Sequence, residues 1–291
     1  MNLSKVLFLL LTFTIILSAQ SESYKGPIID IHCHISLLGD NVKIADRDSK
    51  PADLNKMYEN SHFKKVGLIV IAYKWENEKV SIKNDSLISF CKTNNKYFPI
   101  CSVHPDHGEA ALAELDRIYS KGVRFLKLHS LSQDIDLASE NVHSVVKKAS
   151  NLGFVILFDG WNPKDANMLM KIVDLANENP KGKFIIAHMG GPKFNETMII
   201  AVFRMYDWYK NNIWLDISAI AYMYANSPYA EQLKWTVEKI GADRILFGSD
   251  YPVSTVDEAI KAVESLGFSR NEMEAIFYNN SKSLLESEGI N

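Results

Sequence analysis

Two kinds of stretch alternate along the chain. Short, continuously apolar runs rich in Val, Ile and Phe recur at 28–34, 66–72, 97–103, 123–129, 154–159, 184–188, 213–218 and 244–250. Runs of this length without a polar face predict strands buried on both sides, as in a parallel sheet. Between them lie longer stretches with apolar residues three and four apart. In 109–119 these are Ala111, Leu112, Leu115 and Ile118, which share one face of a helix. Stretches 140–151, 164–177, 196–210 and 231–240 read the same way, and two more, 255–266 and 271–285, close the chain. Gly122, Gly153 and Gly241 stand between a helix and the next strand, where a helix C-terminus favours glycine. Eight such units in one continuous stretch predict a single-domain α/β protein, a (β/α)8 TIM barrel. The rival, an open doubly wound sheet, would lead from its first strand into a glycine-rich turn. Here the first strand ends in histidines.

The N-terminus breaks the pattern. Lys5 precedes an apolar run at 6–17, and Ala19-Gln20-Ser21 follows with small residues at both ends. This predicts a secretory signal peptide over 1–21, a mature domain over 22–291, and export to a periplasm or the medium. The run falls short of the roughly 20 residues a membrane span needs, so no membrane contact is expected after cleavage. The formal net charge is −3, without the basic footprint that nucleic acid requires. A small molecule is the expected partner, and a homo-oligomer is left open. Cys33, Cys91 and Cys101 are odd in number, and their apolar surroundings predict buried free thiols.

Chemistry-bearing residues gather at the predicted strand ends. The first strand ends Asp30-Ile31-His32-Cys33-His34, and strict alternation puts Asp30, His32 and His34 on one face. The fourth ends with Lys127 and His129, the fifth with Asp159, the sixth with His188 and the eighth with Asp250. A TIM barrel brings these ends to one mouth. Neutral imidazoles with carboxylates suit zinc and other borderline divalent ions.

These motifs carry a family resemblance: Asp30-x-His32-x-His34, the run 122–129 ending Lys127-Leu128-His129, Ala187-His188-Met189-Gly190-Gly191-Pro192, and Gly248-Ser249-Asp250-Tyr251-Pro252. The chain resembles the amidohydrolase superfamily, in its amidohydrolase-related branch of metal-dependent TIM-barrel hydrolases, over nearly all of the mature region. The closing run 278–285 resembles that family's final helix. The resemblance implies one divalent ion, zinc first with manganese or iron as alternatives, held by His32, His34 and Asp250. It implies that Asp250 is also the base toward water, and that His188 orients water or polarises the substrate carbonyl. One position departs from the pattern: Asp159 stands where the family usually carries a histidine ligand. Asp159 is read first as a further ligand to the ion, and second as a cap on the following helix or a partner for a neighbour. Lys127 is read first as a charge partner for substrate or for Asp159, with a carbamylated bridge second.

His129, Trp161 and Tyr222 are candidates for the substrate pocket, as are Trp75 and Tyr224, although each could instead pack a loop on the barrel rim. His104-Pro105-Asp106-His107 either reaches the substrate or forms a plain turn. His62 and His143 are expected at the surface. The reaction implied is hydrolysis of an amide, ester or lactone carbonyl, with Lys127 and His188 stabilising the oxyanion. The alternative is non-oxidative decarboxylation of a small carboxylic acid on the same metal site. A barrel that only binds a ligand is the third reading.

Overall fold

The computed structural model describes residues 23–39, 43–44 and 46–290, so the run read as a signal peptide lies outside the described residues. The barrel strands are β1 (Ile28–His34), β2 (Phe63–Ile69), β3 (Tyr97–Ser102), β4 (Phe125–Leu128), β5 (Val155–Phe158), β6 (Lys183–Ile186), β7 (Ile213–Asp216) and β8 (Ile245–Leu246). Each pairs in parallel with the next in chain order. The last returns to the first: Ile31 N donates to Phe247 O at 3.1 Å, Asp250 N to His32 O at 2.7 Å and His34 N to Tyr251 O at 2.9 Å. The chain is therefore a (β/α)8 TIM barrel.

Alternation along the strands sorts the core into two layers. Phe125, Val155, Leu157, Ile185 and Leu246 join one cluster, which fills the barrel. Leu126, Ile156, Phe158, Phe184 and Ile186 join the other, together with the buried faces of the outer helices. Leu284 and Leu285 of the C-terminal helix Asn280–Ser287 belong to the inner cluster. That helix bonds Lys183 at the start of β6 through Ser287, so it covers the N-terminal end of the barrel. Lys127 is one pleat repeat above Phe125 on the inner face, which carries it toward the opposite mouth.

The outer helices follow from local signals. Glu140–Leu152 is capped by Ser139, whose side chain accepts from Val142 N, and is closed by Gly153 in the left-handed conformation. Val256–Ser265 opens with a capping box between Thr255 and Glu258. Pro51–Met57 and Val80–Cys91 carried no readable signal. The second of these buries Lys83 and Asn84 beside Val80, Leu87 and Ile88, so its inner face is not patterned apolar. The helix expected over 196–210 is confined to Met198–Phe203. The one expected over 271–285 is interrupted by a wide helical turn at Ala275–Asn279.

Strand bounds also shift: β2 begins at Phe63 rather than at 66, and β8 is only Ile245–Leu246 rather than 244–250. Cys33, Cys91 and Cys101 are all free and buried. Among the described residues no helix is long and apolar enough to cross a membrane.

Candidate active site

The first strand does not alternate strictly. Asp30 pairs with Val66 and Cys33 with Leu68, so β1 spends one residue more than β2 over this interval. This β-bulge corrects the expected shared face. Asp30 turns away from the barrel interior and meets Tyr58, whose hydroxyl donates to it at 2.6 Å. The other Asp30 oxygen accepts from His32 N at 3.0 Å and Ser249 N at 3.1 Å. Burial pushes the Asp30 carboxyl up to about 6, against these hydrogen bonds. His32 and His34 face inward.

There they meet Asp250, which the loop after β8 delivers with a positive φ of 53°. The Asp250 Oδ1 lies 3.3 Å from His32 Nε2 and 3.4 Å from His34 Nε2. Its Oδ2 lies 3.8 Å from His188 Nε2. His188 occupies a left-handed turn after β6, with φ 55°. Ligand atoms of His32, His188 and Asp250 all fall within 4.8 Å of one another. Bonds of about 2.1 Å at tetrahedral angles would put neighbouring donors about 3.4 Å apart, so these spacings suit one ion.

Asp216, at the end of β7, aims two of these rings, a part the sequence reading missed. Its Oδ2 accepts from His32 Nδ1 at 2.9 Å, which leaves Nε2 facing Asp250. Its Oδ1 accepts from His188 N at 3.0 Å and from the Ser218 hydroxyl and amide. Ser218 Oγ in turn lies 2.9 Å from His188 Nδ1. A histidine with one nitrogen tied to a carboxylate or hydroxyl is the usual support for a metal ligand. Burial would raise the Asp216 carboxyl, but His32 and His188 pull it down to about 2. Burial lowers His32 to about 4, so its ring is neutral near pH 7. Burial would likewise raise Asp250, yet His188, His32 and His34 hold it far below the carboxylate range. Burial would lower His188, but Asp250, Asp216 and Asp159 raise it. The donor set of imidazoles and an ionised carboxylate fits a divalent ion.

Lys127 is fully buried, with Nζ 3.3 Å from His32 Nε2. Burial lowers its amine, against the pull of Asp159, Asp216 and Asp250. Neither Asp159 nor His34 is brought into the His32–His188–Asp250 group, although His34 Nε2 approaches Asp250. The Asp159 Oδ2 pairs with His129 Nε2 at 3.0 Å and its Oδ1 accepts from Trp161 N at 2.7 Å. This is the neighbour-bonding alternative of the sequence reading. Burial lowers His129 to about 3, against the attraction of Asp159.

A cavity of about 380 Å³ opens over these residues, and His34, His129, Asp159, Trp161, His188 and Asp250 all reach it. Tyr222 does not line it, because the short helical turn Ile220–Tyr224 presents Met223 there instead. Tyr73 is a wall residue that the sequence did not single out, and the exposed Trp75 ring stacks on it at 4.9 Å. His104 is fully buried, bonding Gln133 O at 2.8 Å and accepting from Asp106 N, so that segment is a turn.

A family model described as amidohydrolase matches residues 29–286. The chain belongs to the amidohydrolase family. No curated protein sequence matches this amidohydrolase. Among solved structures it is similar to 2,6-dihydroxybenzoate decarboxylase from Rhizobium, at 16% identity and TM-score 0.67, covering 91% of this chain and 100% of that one. It is similar to a dihydroxybenzoic acid decarboxylase from Polaromonas sp. JS666 with bound manganese and the inhibitor 2-nitroresorcinol, at 16% identity and TM-score 0.66, covering 90% and 97%. A protein from Pseudomonas putida described as a 2-pyrone-4,6-dicarboxylic acid hydrolase matches at 17% identity and TM-score 0.64, covering 91% and 98%. At these identities the likeness is one of fold. This amidohydrolase is an enzyme of its superfamily, which typically binds a divalent metal ion, and its His32–His188–Asp250 group can hold one.

Proposed function

We propose that the enzyme hydrolyses the carbonyl of a small ester, lactone or amide with the help of one divalent ion, zinc, manganese or iron. The observation that carries this reading is the placement of Asp250. It is within 3.8 Å of three histidine Nε2 atoms and also lies on the wall of the cavity. His32, His34, His188 and Asp250 would hold the ion, and Asp159 stays with His129. When bound, the ion polarises a carbonyl and lowers the pKa of water toward 7.

The residues then divide the work. Asp250 accepts a proton from the attacking water as the new C–O bond forms. It returns that proton to the leaving oxygen or nitrogen as the old bond breaks, so the products are an acid and an alcohol or amine. His188, with Nδ1 tied to Ser218, would share in holding the ion and leave the substrate's carbonyl oxygen to the ion and Lys127. Lys127, whose Nζ lies 3.3 Å from His32 Nε2 on the side facing Asp250, offsets negative charge on that oxygen when protonated. Asp216 takes no proton and keeps His32 and His188 in register.

The test is turnover of matched esters, lactones and carboxylic acids in heavy-oxygen water by the metal-loaded enzyme. The expected result is one heavy oxygen in the acid product and no carbon dioxide. Carbon dioxide released without oxygen incorporation would overturn hydrolysis and assign decarboxylation, the reaction named for two of the similar structures.

A further inference from the structure

The cavity above Asp250 is built unevenly. At about 380 Å³ it sits near the small end of ligand pockets, which run from about 300 to 1,000 Å³. Its floor holds the carboxylates and histidines, whereas Ile71, Tyr73, Trp161, Met223 and Val253 form apolar walls. Among the described residues no lysine or arginine lines it. A charged group carried away from the floor would lose its water and find no partner of opposite sign.

The apolar wall is also fixed in place. Gly160 sits so close to the turn after β6 that a Cβ would stand 1.8 Å from Ala187 O. Gly191, with φ +64°, lets the Trp161 side chain approach to where a Cβ would be 2.7 Å from it. The Trp161 amide is held by Asp159 at 2.7 Å. Tyr73 is backed by the Trp75 ring and by the Lys83 ammonium 5.0 Å from its centroid. Yet Trp161 and Met223 keep 44% and 51% of their surfaces exposed. Rigid apolar surface left open at a cavity mouth gains free energy when a ligand covers it, and little entropy is lost in ordering it.

We propose that this pocket selects substrates whose non-reacting part is uncharged and apolar. A group the size of one aromatic or alicyclic ring lies against Trp161, with Tyr73 and Met223 completing the wall. The inference rests on the hydrolytic reading for the reacting bond, but the binding it describes does not need turnover.

The experiment has a kinetic arm and a binding arm. The kinetic arm compares phenyl acetate with 4-carboxyphenyl acetate on the wild type, Trp161→Ala and Trp161→Phe. KM is expected to be about tenfold higher for the carboxylated ester. Trp161→Ala should raise KM for phenyl acetate by about tenfold with kcat nearly unchanged, and Trp161→Phe should restore most of the loss. The binding arm titrates phenol and 4-hydroxybenzoate into the same proteins by calorimetry, with phenol expected to bind more tightly and to depend on residue 161. Equal or better use of the carboxylated compounds would overturn the proposal, as would a Trp161→Ala variant with unchanged KM and binding. If no ester turns over but phenol binds in a Trp161-dependent way, the pocket assignment stands and the hydrolytic reading fails. Absence of both turnover and binding of the neutral compounds would overturn the pocket assignment.

Discussion

At the scale of single residues, the site depends on a carboxylate that never reaches the substrate space. Asp216 is fully buried and ties together His32 Nδ1, the His188 amide and Ser218. Asp216→Asn keeps the volume but puts an amide where one acceptor oxygen stood, so His32 loses its orientation or its tautomer. Loss of such a supporting partner costs about 10–100-fold in metal affinity. Competition of the variant against a chelating dye should show a fall of that size while unfolding stays cooperative. An unchanged affinity would remove Asp216 from the support of the site.

His32, His34, His188 and Asp250 were legible because each is a ligand-type side chain closing an apolar run. Asp216 lies inside the run 213–218, two residues before its end, whereas Asp159 closes one as the ligands do. Nothing in the spacing tells which carboxylate supports the centre and which pairs with His129. Tyr222 and Met223 are adjacent, and only the path of the chain through Ile220–Tyr224 selects Met223 for the cavity.

At the scale of elements, the β1 bulge is the feature that a period-two reading cannot contain. Its extra residue is anchored by Asp30, which links β1 to the β8 loop through Ser249 and to Tyr58. Removing the carboxylate leaves the His32 and Ser249 amides without this acceptor and the Tyr58 hydroxyl with only Ser249 Oγ at 3.2 Å. Asp30→Ala should therefore cost about 3 kcal/mol of stability in urea unfolding. Asp30→Asn, which retains an acceptor oxygen, should recover more than half of that. Equal losses in the two variants would mean that charge, rather than hydrogen bonding, matters at this position.

Strand existence was legible, since a strand buried on both faces is apolar throughout. Strand ends were not: β8 ends at Leu246, and the polar run after it belongs to the loop that carries Asp250. The helix Val80–Cys91 escaped because tertiary partners satisfy its buried polar residues. Asn84 bonds Ser102 O and Glu114, and Lys83 bonds Glu76.

At the scale of the whole molecule, residues 32, 188, 216 and 250 are distant in the chain and meet only because the barrel closes. The hydrogen bonds between β1 and the β8 loop, which complete that closure, also set His32 beside Asp250. Fold and site are in this sense one construction, and metal binding reports on both. The deciding measurement is the metal content of purified, metal-reconstituted protein by elemental analysis, for the wild type and for His32→Ala combined with His188→Ala. One divalent ion per wild-type chain and less than about a tenth of that in the variant, with the fold retained by circular dichroism, is the expected result. A wild type that takes up no ion, or a folded double variant that keeps its full complement, would contradict the assignment of this centre.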